Sequence, residues 1–289
     1  MPTHSDTALI FDIQHSSFVD GPGIRTTIFF KGCNLRCQWC HNPEGICPER
    51  QMIVYRSRCR HCGKCAKVCP TGALDQSVCP DLTFCTLCGS CVDACPADAR
   101  RICGESRSLD EVLRIVGQDK VFYDTSGGGV TCSGGECLLQ VDFLEEFLRR
   151  CRQTGIQTAV DTAGHVPWER FTRVLPFTDL FLYDIKAIDP DLHRRGTGAG
   201  NSLILKNYIR LIRLAPVWVR VPVIGGFNAD RQSLADIRDF LKQHPPAGID
   251  LLPYHALGEH KYGDLSLANS PCGKPSDEIM AAAREMLCI

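Results

Sequence analysis

The chain has 289 residues, 44% of them hydrophobic, and a formal charge of −1 from 32 Lys plus Arg against 33 Asp plus Glu. At about 100–200 residues per domain, that length predicts two domains with apolar material for a sizeable core, and it excludes disorder for most of the chain. The balanced charge offers no field to draw the protein onto nucleic acid or anionic lipid, whereas 19 cysteines, about one residue in fifteen, demand a chemical reason.

The amino terminus has no basic run, and its apolar stretch at residues 8–11 is too short for a signal peptide or a spanning helix. A cytoplasmic protein is expected. In that reducing compartment the cysteines point to thiolate ligation of metal rather than to disulfides. A first strand is predicted at 26–31. Fourteen cysteines then fall between Cys33 and Cys103, where Pro, Gly and basic residues replace apolar periodicity.

After about residue 108, short apolar runs alternate with amphipathic stretches. Further strands are predicted at 129–133, 157–161, 180–186, 217–223 and 249–253. Phe143, Leu144, Phe147, Leu148 and Cys151 share one helix face, as do Leu234, Ile237, Phe240 and Leu241. Strands alternating with crossover helices predict a parallel α/β sheet, open or curled into an incomplete barrel, with the cysteine block inserted after its first strand. The expected division is 10–46 with 105–289 for the sheet unit and 47–104 for the insertion.

Inside the insertion, Cys59-x2-Cys62-x2-Cys65-x3-Cys69-Pro70 recurs 26 residues later as Cys85-x2-Cys88-x2-Cys91-x3-Cys95-Pro96. This is the bacterial ferredoxin pattern, in which three close cysteines hold three corners of a 4Fe–4S cube and the fourth crosses to the other cube. The expected sets are Cys59, Cys62, Cys65 and Cys95, and Cys85, Cys88, Cys91 and Cys69. Paired zinc sites are the alternative for C-x2-C spacing, but three cysteines per run and a trailing Cys-Pro fit tetrahedral zinc poorly. Cys47, Cys79 and Cys103 lie outside both runs and are read as spare thiols.

A different pattern, Cys33-x3-Cys37-x2-Cys40, follows the first strand directly. Three ligands leave one iron of a cube open, which distinguishes a reactive site from a closed structural one. With Trp39 before its last cysteine, this run resembles the signature of radical S-adenosylmethionine enzymes. The run from Asp20 through Gly21-Pro22-Gly23-Ile24-Arg25, then Lys31-Gly32-Cys33 and Cys40-His41-Asn42-Pro43-Glu44, is similar to the activating enzymes of glycyl radical enzymes. So are Ser133-Gly134-Gly135-Glu136, Asp184-Ile185-Lys186, Arg220-Val221-Pro222-Val223 and Leu252-Pro253-Tyr254-His255.

The resemblance implies a partial (β/α)6 TIM-like barrel with an inserted ferredoxin-like domain carrying two 4Fe–4S clusters, three clusters in all, and S-adenosylmethionine. It implies an oxidoreductase that reductively cleaves S-adenosylmethionine and abstracts a glycine hydrogen from a partner glycyl radical enzyme. A flavodoxin or ferredoxin would supply the electron. It assigns Cys33, Cys37 and Cys40 to the reactive cube, Trp39 to the cofactor, Gly134, Gly135 and Glu136 to the ammonium group, and Asp161, Asp184, Lys186, Arg220 and His255 to the carboxylate, ribose and adenine. Taken singly, Gly134-Gly135 is a turn, a strand-end Asp is a helix cap and His255 is structural; their order along the chain raises them to site candidates.

Two other functions compete: an iron–sulfur electron carrier, and a radical enzyme acting on a small molecule. An open three-cysteine site discriminates against the carrier, and the density of activase-type motifs against the small-molecule enzyme. Two thiols, Cys132 and Cys137, flank the glycine turn where the family has an aromatic or aliphatic residue and a proline. They are read as packing substitutions, with a redox or ligand role as the alternative.

Overall fold

The computed structural model of the chain describes residues 6–74, 81, 83–268 and 272–287. Cys79 and Cys288, both without an expected ligand role, lie outside the described residues. The described strands, in chain order, are β1 (Thr7–Ser17), β2 (Arg25–Phe30), β3 (Gln51–Val54), β4 (Arg100–Cys103), β5 (Glu105–Ser108), β6 (Gly129–Gly134), β7 (Gln157–Thr162), β8 (Leu180–Asp184), β9 (Val217–Val223) and β10 (Gly248–Pro253). Eight form one sheet in the order β10-β9-β8-β7-β6-β2-β1-β5, and β3 pairs with β4 in a separate sheet.

The six predicted strands are β2 and β6 to β10, with ends within two residues of those expected. Each pairs in parallel with the next. A parallel pair cannot be joined by a tight turn, so helices carry the chain back between β6 and β10. The helix Val141–Gln153 buries Phe143, Leu144, Phe147, Leu148 and Cys151, the face its spacing predicts. In the helix Arg231–Gln243, Leu234, Ile237 and Leu241 are buried and Phe240 packs against the same core. Asp189 and Asp230 cap their helices by accepting from the N–H groups of Leu192 and Ser233.

Sequence patterning did not foresee β1 or β5. β1 runs antiparallel to both β2 and β5, and its register shifts between Ile10 and Asp12 and again between Gln14 and Ser17. Such irregularities break the two-residue alternation by which a strand is recognised. After β1, the turn at residues 18–24 is pinned from below by Arg25, a fully buried guanidinium. It donates from Nε to Thr131 Oγ1 (2.7 Å), from Nη2 to the Val130 carbonyl (2.6 Å) and from Nη1 to the Pro22 carbonyl (3.2 Å). Gly23 sits at φ +71, and a Cβ there would stand 2.4 Å from the Gly128 nitrogen. The chain therefore needs glycine where this turn meets the start of β6.

Within 47–104, β3 and β4 enclose two short helices, Lys64–Lys67 and Ser90–Asp93. His61 (φ 51) and Gly63 (φ 70) precede the first, and Leu87 (φ 52) and Gly89 (φ 91) precede the second at matching positions. The internal repeat thus extends to its left-handed residues. Met52, Val54, Leu74 and Cys91 make a small core of their own. No helix among the described residues is long and apolar enough to cross a membrane.

Candidate active site

The carboxyl ends of the parallel strands open onto one cavity of about 600 Å³. Strand ends are natural site positions because loops can vary there without disturbing the sheet. Cys33, Cys37, Cys40, Trp39, Gly134, Gly135, Asp161, Asp184, Lys186, Arg220 and His255 all line this cavity. Of the residues expected there, Glu136 alone does not.

The cysteine loop that follows β2 is held by backbone bonds on several sides. Cys33 N–H donates to the Ile46 carbonyl (3.1 Å), Arg36 N–H to Thr197 (2.7 Å) and Gln38 N–H to Gly196 (2.9 Å). Trp39 packs on Phe227 with ring centroids 4.3 Å apart. On the far side Tyr262 donates its hydroxyl to the Cys40 carbonyl (3.0 Å), while Lys261 reaches the His41 carbonyl (3.1 Å) and Glu44 (2.8 Å). Lys261 and Tyr262 lie more than 200 residues from the loop in sequence, on the short helix His260–Asp264, and no motif marks them.

Burial pushes the thiols of Cys33 and Cys40 up to about 12 and raises that of Cys37 as well. Three neighbouring cysteines that resist ionisation when bare become thiolates once a metal cation replaces their protons. No three described His, Cys, Asp or Glu side chains close around a single ion.

The same cavity is lined by the buried Lys186 and the partly buried Arg220 with their counter-ions. Lys186 pairs with Asp184 (2.5 Å). Burial works against its charge, but Asp184 and the other nearby acidic groups outweigh it and hold Lys186 above its ordinary range. Arg220 Nη1 lies 3.1 Å from Asp161 and 3.7 Å from Asp20, and Ser133 donates to the same Asp161 oxygen (2.7 Å). Desolvation of Arg220 is likewise outweighed by these carboxylates. Its Nε is buried without a hydrogen-bond partner among the described residues. Asp20, quoted above only as part of a motif, is thus a counter-ion of the site.

The glycine turn departs from expectation in part. Gly134 has φ +112, and a Cβ on it would lie 2.2 Å from the Phe30 nitrogen; one on Gly135 would lie 2.2 Å from the Gly32 carbonyl oxygen. The bare backbone is required for the end of β6 to approach the cysteine loop, in addition to any ligand. Gly135 and Glu136 donate their N–H groups to Phe30 (2.8 Å) and Gly32 (2.7 Å).

The Glu136 side chain, expected to meet an ammonium group, is fully buried and is not among the residues that line the cavity. It accepts from Thr162 Oγ1 at both oxygens (2.8 Å), from Ala163 N–H (3.1 Å) and from Leu138 N–H (3.3 Å). Burial pushes it up to about 7. Its role here is to clamp the β6 turn to the end of β7.

In the insertion, Cys69 lines a small cavity together with Cys85, Cys88 and Cys91, the set expected for one closed cluster. Cys59, Cys65 and Cys95 are partly buried and Cys62 is exposed. Cys132 and Cys137 are fully buried members of the main core, and Cys137 donates to the Cys132 carbonyl (3.3 Å). Both thiols are pushed far up by burial. They behave as small apolar residues, as the packing reading expects.

Residues 27–240 match the sequence profile of the Radical SAM superfamily. The chain is 42% identical over 279 residues to the trans-4-hydroxy-L-proline dehydratase activating enzyme of Clostridioides difficile, covering 93% of this chain and 92% of that protein. It is 41% identical to the choline trimethylamine-lyase activating enzyme of Oleidesulfovibrio alaskensis, covering 98% and 94%. The crystal structure of a radical SAM methyltransferase from Sphaerobacter thermophilus shares the fold at a TM-score of 0.52, with 13% identity over 98% of this chain and 74% of that one.

Proposed function

The chain belongs to the Radical SAM superfamily and, within it, to the activating enzymes of glycyl radical enzymes, and from that premise we infer how its own residues serve the reaction. In such an enzyme a 4Fe–4S cluster held by three cysteines would supply the electron for reductive cleavage of S-adenosylmethionine, and the reaction yields 5′-deoxyadenosine, methionine and a glycyl radical on the partner. Cys33, Cys37 and Cys40 hold that cluster. Lys186 and the unpartnered Nε of Arg220 receive the methionine carboxylate, since both cations are already fixed by carboxylates behind them. The Gly134-Gly135 backbone faces the ammonium group, and Trp39 and His255 bound the adenosine end.

The observation that carries this reading is the convergence of three hard-to-ionise thiols and two ion-paired cations in one cavity at the strand ends. Residues 10–46 with 105–289 would form the partial barrel, and 47–104 the ferredoxin-like domain with two further 4Fe–4S clusters. The duplicated spacing and the shared cavity of Cys69, Cys85, Cys88 and Cys91 support that division. The abundance of reduced cysteines supports a cytoplasmic setting, and the partner is a glycyl radical enzyme other than pyruvate formate-lyase, whose activase lacks the insertion. The protein, reduced anaerobically with S-adenosylmethionine, is expected to release 5′-deoxyadenosine, and Cys33→Ala to release none. Release from Cys33→Ala at the parent rate would overturn the assignment.

A further inference from the structure

The duplicated segment separates its charge into two halves. Residues 55–74 contain Arg56, Arg58, Arg60, Lys64 and Lys67 and no carboxylate, whereas residues 75–98 contain Asp75, Asp81, Asp93 and Asp98 and no Lys or Arg. Both copies share cysteine spacing and backbone turns, so cluster binding does not account for the difference.

All five basic side chains are exposed. Arg56 is committed to the barrel: its Nε donates to the Gly263 carbonyl (3.1 Å) and its N–H to Asp264 (3.2 Å). Arg58 lies over the Tyr55 ring, 4.5 Å from its centroid. Arg58, Arg60, Lys64 and Lys67 enter no ion pair among the described residues. Cys62, between Arg60 and Lys64 in sequence, is exposed, and Val68 adds an apolar side chain that is 43% exposed. The helix that moors Arg56 also carries Tyr262, whose hydroxyl bonds the Cys40 carbonyl. The basic half is therefore the half fastened beside the Cys33–Cys40 loop.

We propose that Arg58, Arg60, Lys64 and Lys67 around Cys62 form the docking face for an acidic, low-potential one-electron carrier protein. The proposal rests on the reading of Cys59, Cys62, Cys65 and Cys95 as cluster ligands. Four uncompensated cations on one face attract an acidic partner over roughly a Debye length, about 10 Å at 0.1 M salt, and steer its encounter. One electron leaves the carrier's reduced centre and enters the cluster beneath the face; the carrier is oxidised by one electron, the cluster is reduced by one, and no bond is made or broken.

The test is stopped-flow bleaching of the iron–sulfur absorbance of the holoenzyme by flavodoxin hydroquinone, with photoreduced deazaflavin as a small neutral reductant. In the variant R58E/R60E/K64E/K67E, flavodoxin should reduce the protein about tenfold or more slowly at low salt, with the difference shrinking as salt rises. Deazaflavin should reduce it at the parent rate. If the quadruple variant loses iron, K64Q/K67Q serves in its place, with a smaller slowing in the same direction. Parent-rate reduction by flavodoxin would overturn the proposal. So would equal slowing with deazaflavin, or slowing confined to activation of the glycyl radical enzyme. Failure of the parent to release 5′-deoxyadenosine under deazaflavin would instead count against the proposed function and leave the bleaching comparison readable.

Discussion

Glu136 shows how firmly a residue marked by its motif can be tied into the fold. Its carboxyl accepts hydrogen bonds from Thr162, Ala163 and Leu138 and is absent from the cavity wall. Glu136→Gln should leave the affinity for S-adenosylmethionine unchanged, as equilibrium binding would show; a tenfold loss would restore a direct ligand contact. Burial raises this group from 4.5 to about 7, so the folded protein holds the proton more tightly than the unfolded chain does. Its stabilising effect is then complete below pH 4.5 and is lost as the pH rises to about 7. Relative to the parent, Glu136→Gln should gain stability across that window, by up to about 3 kcal/mol from the shift of 2.5 pH units, read as denaturant midpoints at the two ends. Lys186 behaves differently: Lys186→Met leaves the partly buried Asp184 without its cation and should cost about 1–3 kcal/mol together with most of the cofactor affinity.

At the scale of elements, the end of β6 is fixed against the cysteine loop with no space for a side chain. Gly134→Ala forces a Cβ to 2.2 Å from the Phe30 nitrogen at a φ that L-residues rarely adopt. The strain alone is worth about 1–3 kcal/mol. The variant should melt lower and lose both iron at the Cys33–Cys40 site and binding of S-adenosylmethionine; wild-type iron content and affinity would show that the turn yields.

The parallel strands and the cysteine repeats were legible because continuous apolar runs and fixed cysteine spacings are local signals. β1 was missed because its register shifts hide the alternation. Lys261, Tyr262 and Asp264 were missed because a five-residue helix that contacts residues more than 200 positions away leaves no periodic trace. Asp20 stood in plain view within a motif, but only the pairing of Arg220 with two carboxylates gave it a role.

At the scale of the whole molecule, the sheet unit and the insertion are joined at more than their chain crossings. Lys31, fully buried, sends its ammonium to the Glu44 carbonyl (2.6 Å) and to Gln51 (3.0 Å), linking the segment before Cys33 to β3. If all three sites are four-iron cubes, anaerobic protein should carry about twelve iron atoms with matching sulfide; stoichiometric zinc would contradict the cluster reading. A relay through residues 47–104 is tested separately from that count. Replacing Cys62 and Cys88 should slow turnover with a protein reductant, and unchanged rates with both protein and chemical reductants would rule a relay out.

The central claim is that the open three-cysteine site makes a radical destined for a partner's glycine. The most direct measurement is electron paramagnetic resonance of each of a panel of glycyl radical enzymes, after anaerobic incubation with the reduced activase and S-adenosylmethionine. The account predicts a glycyl radical signal on the partner, one 5′-deoxyadenosine for each radical formed, and no signal with Cys37→Ala. Abundant 5′-deoxyadenosine with no radical on any such partner would contradict it and point to a small-molecule substrate.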